Sequence, residues 1–156
     1  MGSAVPETRD PRPAPSLGHA VLKVHDLARS LAFYRDTLEL REVARYRDML
    51  FLSGGARHHD LALVEALTTA QSPADGSPGL HHLAFKVGDD LATLRAWRDR
   101  LAGLGVRILG QSDHRVSQSL YLRDPDGLLV ELYVDADPAV WRDDPSAVAH
   151  VGPLEL

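Results

Sequence analysis

His19-Ala-Val-Leu-Lys23-Val24 and His82-Leu-Ala-Phe-Lys86-Val87 agree at His, Lys and Val and place apolar residues at most positions between. Lys23 and Lys86 are the only lysines in the chain. Each hexad leads into an amphipathic segment, Leu27-Ala-Arg-Ser-Leu-Ala-Phe-Tyr34-Arg35-Asp36 after the first and Leu91-Ala-Thr-Leu-Arg-Ala-Trp97-Arg98-Asp99 after the second. A third apolar run, Gly127-Leu-Leu-Val-Glu131-Leu-Tyr133, carries a carboxylate in its middle. Short apolar runs of this kind read as buried strands. A histidine opening two of them and a glutamate inside a third supply the ligand types of a 2-His-1-carboxylate metal site.

Working outward, each repeat predicts a strand, a helix and three more strands. In the first, His19–Val24 is the opening strand and Asp26 can cap the helix that follows. Leu27, Leu31, Tyr34 and Leu38 give that helix a core face. Strands are expected at Arg41–Tyr46, Met49–Leu52 and Asp60–Val64, with Gly54-Gly55 turning the last two. Ala66–Pro78 reads as a linker. In the second repeat, His82–Val87 is the strand, Leu94, Trp97, Leu101 and Leu104 mark the helix, and Gly103 and Gly105 stop it. Val106–Leu109, Ser119–Leu122 and Leu128–Tyr133 are the remaining strands, the last preceded by the turn Asp124-Pro125-Asp126-Gly127. The fold class is α+β: two βαβββ modules forming one curved mixed sheet around a metal cleft, over residues 17–134. Residues 1–16, rich in Pro and charge, read as a disordered leader, and residues 135–156 as a C-terminal tail.

Composition narrows the function classes. The chain has 156 residues, enough for one domain with a sizeable core. A net charge of -5 without a basic stripe argues against nucleic acid as a partner. No apolar run has the length of a membrane span and no apolar signal core opens the chain, so a cytoplasmic location is expected. With zero Cys, disulfides, zinc ribbons and thiol nucleophiles are excluded.

His19, His82 and Glu131 are the candidate metal ligands. The repeat selects His82 over His81, because His82 aligns with His19 and His81 aligns with Gly18. An isolated buried carboxylate is costly without a partner, and a metal ion supplies one for Glu131. Three protein ligands leave coordination positions open for substrate and oxygen, which suits non-haem Fe(II). Manganese(II) fits the same ligands, and iron against manganese stays open. His58 and His59 precede a strand, and an imidazole beside an open metal site can serve as acid or base. His114 and Tyr121 flank Ser117–Leu120, where both can hydrogen-bond an anionic aromatic ligand. Ser117 and Ser119 lie near His114, but no oxyanion hole is marked, so no nucleophile is assigned there.

The paired halves resemble the vicinal oxygen chelate superfamily, which includes glyoxalase I, fosfomycin-resistance enzymes, bleomycin-binding proteins and type I extradiol dioxygenases. The stretch from His114 through Tyr121, Asp124-Pro125-Asp126-Gly127 and on to Glu131 is similar to the extradiol dioxygenase signature in residue types and spacing. The resemblance implies His19, His82 and Glu131 as iron ligands, His59 as the acid/base beside the oxygen site, and His114 and Tyr121 as catalytic residues that contact substrate. It implies an Fe(II)-dependent extradiol dioxygenase acting on a catechol and O2. Most such enzymes have two domains of this kind, so self-association into a dimer or larger homo-oligomer is expected of a single copy. Arg115 stands where Gly can follow the signature histidine, and a guanidinium there can bind a substrate carboxylate. The single-domain pattern resembles the L-DOPA dioxygenases, which makes an amino-acid catechol the expected substrate. The rival readings are a glyoxalase, with Asp60 or Glu65 as a fourth ligand, a fosfomycin-type transferase, or a non-enzymatic module binding an aromatic drug.

Overall fold

The structure is a computed structural model that describes residues 14–156 apart from Thr68, Pro73 and Asp75. The leader expected at residues 1–16 falls almost wholly outside the described residues.

The first module runs β1 (Ala20–Val24), α1 (Leu27–Ala32), β2 (Arg41–Tyr46), β3 (Met49–Ser53) and β4 (Leu61–Glu65). The second runs β5 (His82–Gly88), α2 (Leu91–Gly103), β6 (Gly110–Asp113), β7 (Ser117–Arg123) and β8 (Leu129–Asp135). The strand orders β1-β4-β3-β2 and β5-β8-β7-β6 are the same order met twice, and each opening strand runs parallel to the last strand of its module. The duplication read from the sequence is therefore a duplication of topology. The mixed sheet surface is built as two hydrogen-bonded sheets, one per module, with β1 and β5 each at an edge.

Local chemistry sets the helices. Asp26 accepts the Arg29 N–H at 2.8 Å and Asp90 accepts the Thr93 N–H at 2.7 Å, so each helix begins on a carboxylate cap. A wide π turn, Phe33–Thr37, extends α1 and carries Tyr34 into the core. Gly105, at φ +68°, takes up the backbone conformation that ends α2.

Strand alternation divides each sheet into two faces. Leu50, Leu52, Leu61 and Leu63 of the first module, and Leu120, Leu122, Val130, Leu132 and Val134 of the second, form the core with Leu31, Tyr34, Leu94 and Leu101 of the helical segments. Each fully buried leucine contributes about 1.5–3 kcal/mol. The opposite faces carry Val21 and Lys23 on β1, with His19 just before it, His82, Ala84 and Lys86 on β5, and Glu131, Tyr133 and Asp135 on β8.

Val106–Leu109 is not a strand, which corrects the sequence expectation; the strand is the polar Gly110–Asp113 just after it. Val106 and Ile108 pack against the core from a linker, so their apolarity reports burial and not pairing. After β8 the chain adds α3 (Ala139–Asp143), a 3-10 turn over Pro145–Ala149, and a two-residue strand β9 (Gly152–Pro153) that joins the free edge of β6. Among the described residues no helix is long and apolar enough to cross a membrane.

Candidate metal centre

The register of the second sheet assembles most of the nominated residues. Ala84 pairs with Glu131 across β5 and β8, so His82 lies diagonally from Glu131 on the same face. His82 Nε2 sits 3.1 Å from Glu131 Oε2. Glu131 is 8% exposed, so its carboxylate is turned into the protein and held there by partners. One is Ser119, whose hydroxyl donates to Glu131 Oε1 at 2.5 Å from the neighbouring strand β7. Each carboxylate oxygen thus has its own task, Oε1 towards Ser119 and Oε2 towards His82.

Tyr121 pairs directly with Glu131 across β7 and β8. Burial first, and then the Glu131 charge, push its phenol up to about 12, so Tyr121 keeps its proton at neutral pH. Its Oη lies 2.8 Å from His114 Nε2. His114 sits just beyond β6, where the turn to β7 is closed by His114 N–H donating to the Ser117 carbonyl at 2.8 Å. Arg115 occupies the tip at φ +64°, and Val116 N–H donates to the His114 carbonyl at 2.7 Å across it. This is a γ-turn of the rare positive-φ kind, a strained conformation for a residue with a side chain. It accounts for glycine being suited to that position.

The first module contributes separately. His19 and His59 have ring centroids 4.3 Å apart, and Phe51 meets His59 edge-on at 5.3 Å. Burial, followed by the neighbouring His19 and His58 rings, holds His59 below the ordinary imidazole range. A His59 that is neutral near pH 7 is ready to accept a proton. His58 and His59 approach through their Nδ1 atoms at 2.6 Å, as His81 and His82 do at 2.8 Å. The second contact leaves His82 Nε2 facing Glu131.

The structure therefore brings His82, Glu131, Tyr121 and His114 together, and His19 with His59. It does not bring His19 onto the His82–Glu131 pair, and among the described residues no group of three such side chains is close enough to hold one ion. The His82–Glu131 geometry itself fits a metal. Two ligand atoms about 2.1 Å from an ion and at right angles lie about 3 Å apart, the spacing seen here. A cavity of about 840 Å³ between the modules is lined by His19, Arg41 and Arg57 on one side and by Phe85, Lys86 and Tyr133 on the other.

Ser119 is a residue that sequence reasoning weighed only as a nucleophile; its place two residues before Tyr121, on the same strand face, was the available signal. Asp60, a candidate fourth ligand, spends its Oδ2 on the Gly54 N–H at 2.8 Å. Glu65 lies at the exposed end of β4. The two registers also match the modules residue by residue: Val21 pairs with Ala62 as Ala84 pairs with Glu131, and Phe51 pairs with Ala62 as Tyr121 pairs with Glu131. Ala62 thus occupies the first-module position of Glu131.

A family model matches most of the chain that folds in this duplicated βαβββ topology. The Glyoxalase/Bleomycin resistance protein/Dioxygenase superfamily profile covers residues 16–132, and the chain belongs to that superfamily. The chain is similar to a catechol-2,3-dioxygenase of Bacillus subtilis, 32% identical over 130 residues, covering 82% of this chain and 44% of that protein. It is also similar to biphenyl-2,3-diol 1,2-dioxygenase 2 of Rhodococcus globerulus, 31% identical over 121 residues, covering 78% of this chain and 63% of that protein. It thus spans less than two thirds of the length of either relative. In fold it resembles a glyoxalase/dioxygenase from Nostoc punctiforme, with a TM-score of 0.67 at 19% identity over 85% of this chain and 99% of the other.

Proposed function

We propose that the chain is an Fe(II)-dependent extradiol dioxygenase that opens a catechol ring beside its diol, with L-DOPA or a related carboxylated catechol as substrate. The observation that carries this reading is the His82–Glu131 pair at 3.1 Å with Tyr121 across the strand from Glu131. The two relatives named as dioxygenases of a catechol and of a biphenyl-2,3-diol support the same class.

In this reading His82 and Glu131 would hold the ion, and His19, at the matching position of the first module but apart from them here, would complete the ligand set once brought beside the pair. When bound, Fe(II), or Mn(II) in its place, supplies open coordination positions that bring catechol and O2 together and pass charge between them. The remaining work falls to the protein. Tyr121 and His114 orient the catechol and accept a hydrogen bond or proton from its hydroxyl. His59, neutral and packed against Phe51, gives or takes a proton on the oxygen side. Phe51 and Val21 offer an apolar wall to an aromatic ring. Arg115, at the exposed turn beside His114, pairs with the substrate carboxylate.

Ala62 argues against the glyoxalase alternative, because a site taking one carboxylate from each module lacks the second one. A sequestering module for an aromatic drug needs neither the His82–Glu131 pair nor Ser119 behind it. The deciding experiment is anaerobic reconstitution with Fe(II), then oxygen uptake over a panel of catechols that includes L-DOPA, 3,4-dihydroxyphenylacetate and 4-methylcatechol. Stoichiometric oxygen consumption with a yellow product supports the reading; metal binding without oxygen uptake on any catechol refutes it. We further propose that the working unit is a homodimer or larger, checked by light scattering behind size exclusion.

A further inference from the structure

We propose that the C-terminal segment is part of the site: the main-chain carbonyl of His150 holds His114 in its Nδ1–H tautomer, so that Nε2 turns a lone pair towards Tyr121. The inference rests on the reading of His114 and Tyr121 as substrate-side residues.

The geometry leaves the proton one place to go. His114 Nδ1 lies 2.9 Å from the His150 carbonyl oxygen. A carbonyl only accepts, so Nδ1 must donate. A neutral imidazole carries one N–H, which leaves Nε2 bare. Nε2 is the atom 2.8 Å from Tyr121 Oη, and Tyr121 must then be the donor. The resulting chain has a single direction: Tyr121 O–H donates to His114 Nε2, and His114 Nδ1–H donates to the His150 carbonyl.

The carbonyl is held from several sides. His150 N–H donates to the Ala147 carbonyl at 3.1 Å, and Ala147 is buried. Shortly after it, Gly152 and Pro153 pair with Asp113 and Ser112 of β6, the strand that ends just before His114. Leu154 and Leu156 pack against the core, and the Arg98 guanidinium donates to the Leu156 carbonyl. A sequence of turn-formers at Pro145, Gly152 and Pro153 thus brings one carbonyl back to a ring 36 residues earlier.

The tautomer has a chemical consequence. When a catechol hydroxyl gives its proton to Tyr121 Oη, Tyr121 can pass its own proton to His114 Nε2. The catechol oxygen keeps the electron pair and becomes an oxyanion, Tyr121 ends as it began, and His114 becomes an imidazolium. That cation keeps both N–H groups bonded, to Tyr121 and to the His150 carbonyl. With the proton on Nε2 instead, the ring would face Tyr121 as a donor and could not receive it. His150 acts through His114 and is a positioning residue.

The test is the tautomer itself, read by long-range 1H–15N correlation on the metal-free full-length chain labelled at histidine, above the pH at which imidazoles titrate. The His114 signals are identified by their loss in His114→Gln. The expected spectrum shows a protonated Nδ1 and an unprotonated Nε2; an Nε2–H tautomer in the wild-type chain overturns the proposal without any further variant. A chain shortened after Ala149, with its fold checked by circular dichroism, should shift His114 to the Nε2–H form. Its kcat should drop by about 10²-fold, the low end of what a general acid/base supplies, with KM for a neutral catechol little changed. Persistence of the Nδ1–H form in that folded shortened chain also overturns the proposal. His150→Ala, which keeps the carbonyl and removes the ring, should keep the tautomer. The spectrum needs neither metal nor substrate. An Nδ1–H His114 in a chain that consumes no oxygen with any catechol would therefore sink the enzymatic reading and leave the tautomer assignment standing without its catalytic consequence.

Discussion

Removing the hydroxyl that holds Glu131 separates a structural carboxylate from a metal ligand. In Ser119→Ala the bond lost is the 2.5 Å donation from Ser119 Oγ to Glu131 Oε1. Ser119 has no exposed surface and Glu131 is 8% exposed, so bulk water does not readily replace the donor. A hydrogen bond to a charged group contributes about 1.5–3 kcal/mol. At about 2–4 °C per kcal/mol for a chain of this size, the Tm of the metal-free protein should fall by about 3–12 °C. If Glu131 also binds the ion, loss of its outer partner should weaken metal affinity by about 10–100-fold, or about 1.4–2.7 kcal/mol. Scanning calorimetry of the metal-free protein reads the first quantity, and anaerobic titration with Fe(II), or calorimetric titration with Mn(II), reads the second. A lower Tm with unchanged affinity would keep the hydrogen bond and remove Glu131 from the ligand set. Neither quantity moving would refute the reasoning about the buried pair as a whole.

Replacing His19, His82 or Glu131 by Ala should each abolish stoichiometric Fe(II) binding, measured by metal analysis after desalting. His81→Ala, which removes the ring against His82 Nδ1, should cost no more than about 10–100-fold in affinity; full iron retention in Glu131→Ala would sink the site. His59→Asn should still bind metal and catechol but turn over about 10²–10⁴-fold more slowly at saturating substrate, and wild-type turnover would remove it from the mechanism. Arg115→Ala should raise KM by about ten-fold for a carboxylated catechol if the ion pair is shielded and leave 4-methylcatechol almost unaffected, whereas equal shifts would reject a carboxylate role. Tyr34→Phe removes the 2.9 Å donation to the buried Asp124 and should destabilise by about 1.5–3 kcal/mol in denaturant unfolding, and an unchanged midpoint would show that bond to be inert.

Much of the fold was legible because its signals are local. The hexads at His19 and His82 marked two edge strands, the capping carboxylates Asp26 and Asp90 start the helices, and Arg41–Tyr46 was read to the residue. Where burial and pairing part company, the sequence pattern follows burial, which is why Val106–Leu109 looked like a strand and the polar Gly110–Asp113 did not. Long-range polar partners were beyond reach for a different reason. Asp124-Pro125-Asp126-Gly127 reads as a turn from its own residues, yet Asp126 accepts from Arg29 at 2.5 Å and from the His25 N–H at 2.9 Å, about a hundred residues away. Asp124 takes the Tyr34 hydroxyl in the same way. Nothing in local spacing encodes those pairings, although they dock the turn between β7 and β8, and hence the strands bearing Tyr121 and Glu131, onto the first module. The carbonyl of His150 belongs to the same class, since a main-chain atom leaves no mark in the sequence.

The two modules share a topology but not a chemistry, and the division follows from what each face must satisfy. The helix-covered faces bury leucine and valine in both halves, so packing constrains them alike. The opposite faces differ at matched positions: Glu131 against Ala62, and Tyr121 against Phe51. Burying Glu131 requires compensation, and the second module supplies it locally through Ser119 and His82. The first module, with Ala62 and Phe51, needs none and presents an apolar surface on which His59 packs. One half therefore fixes charge and the other fixes shape. In the proposed ligand set, a second carboxylate at Ala62 would add a protein ligand and close a coordination position that the proposed catechol and oxygen would need. The alanine matters as much to the proposed reaction as the glutamate it stands opposite, because an open ligand set requires that one of the two duplicated positions be silent.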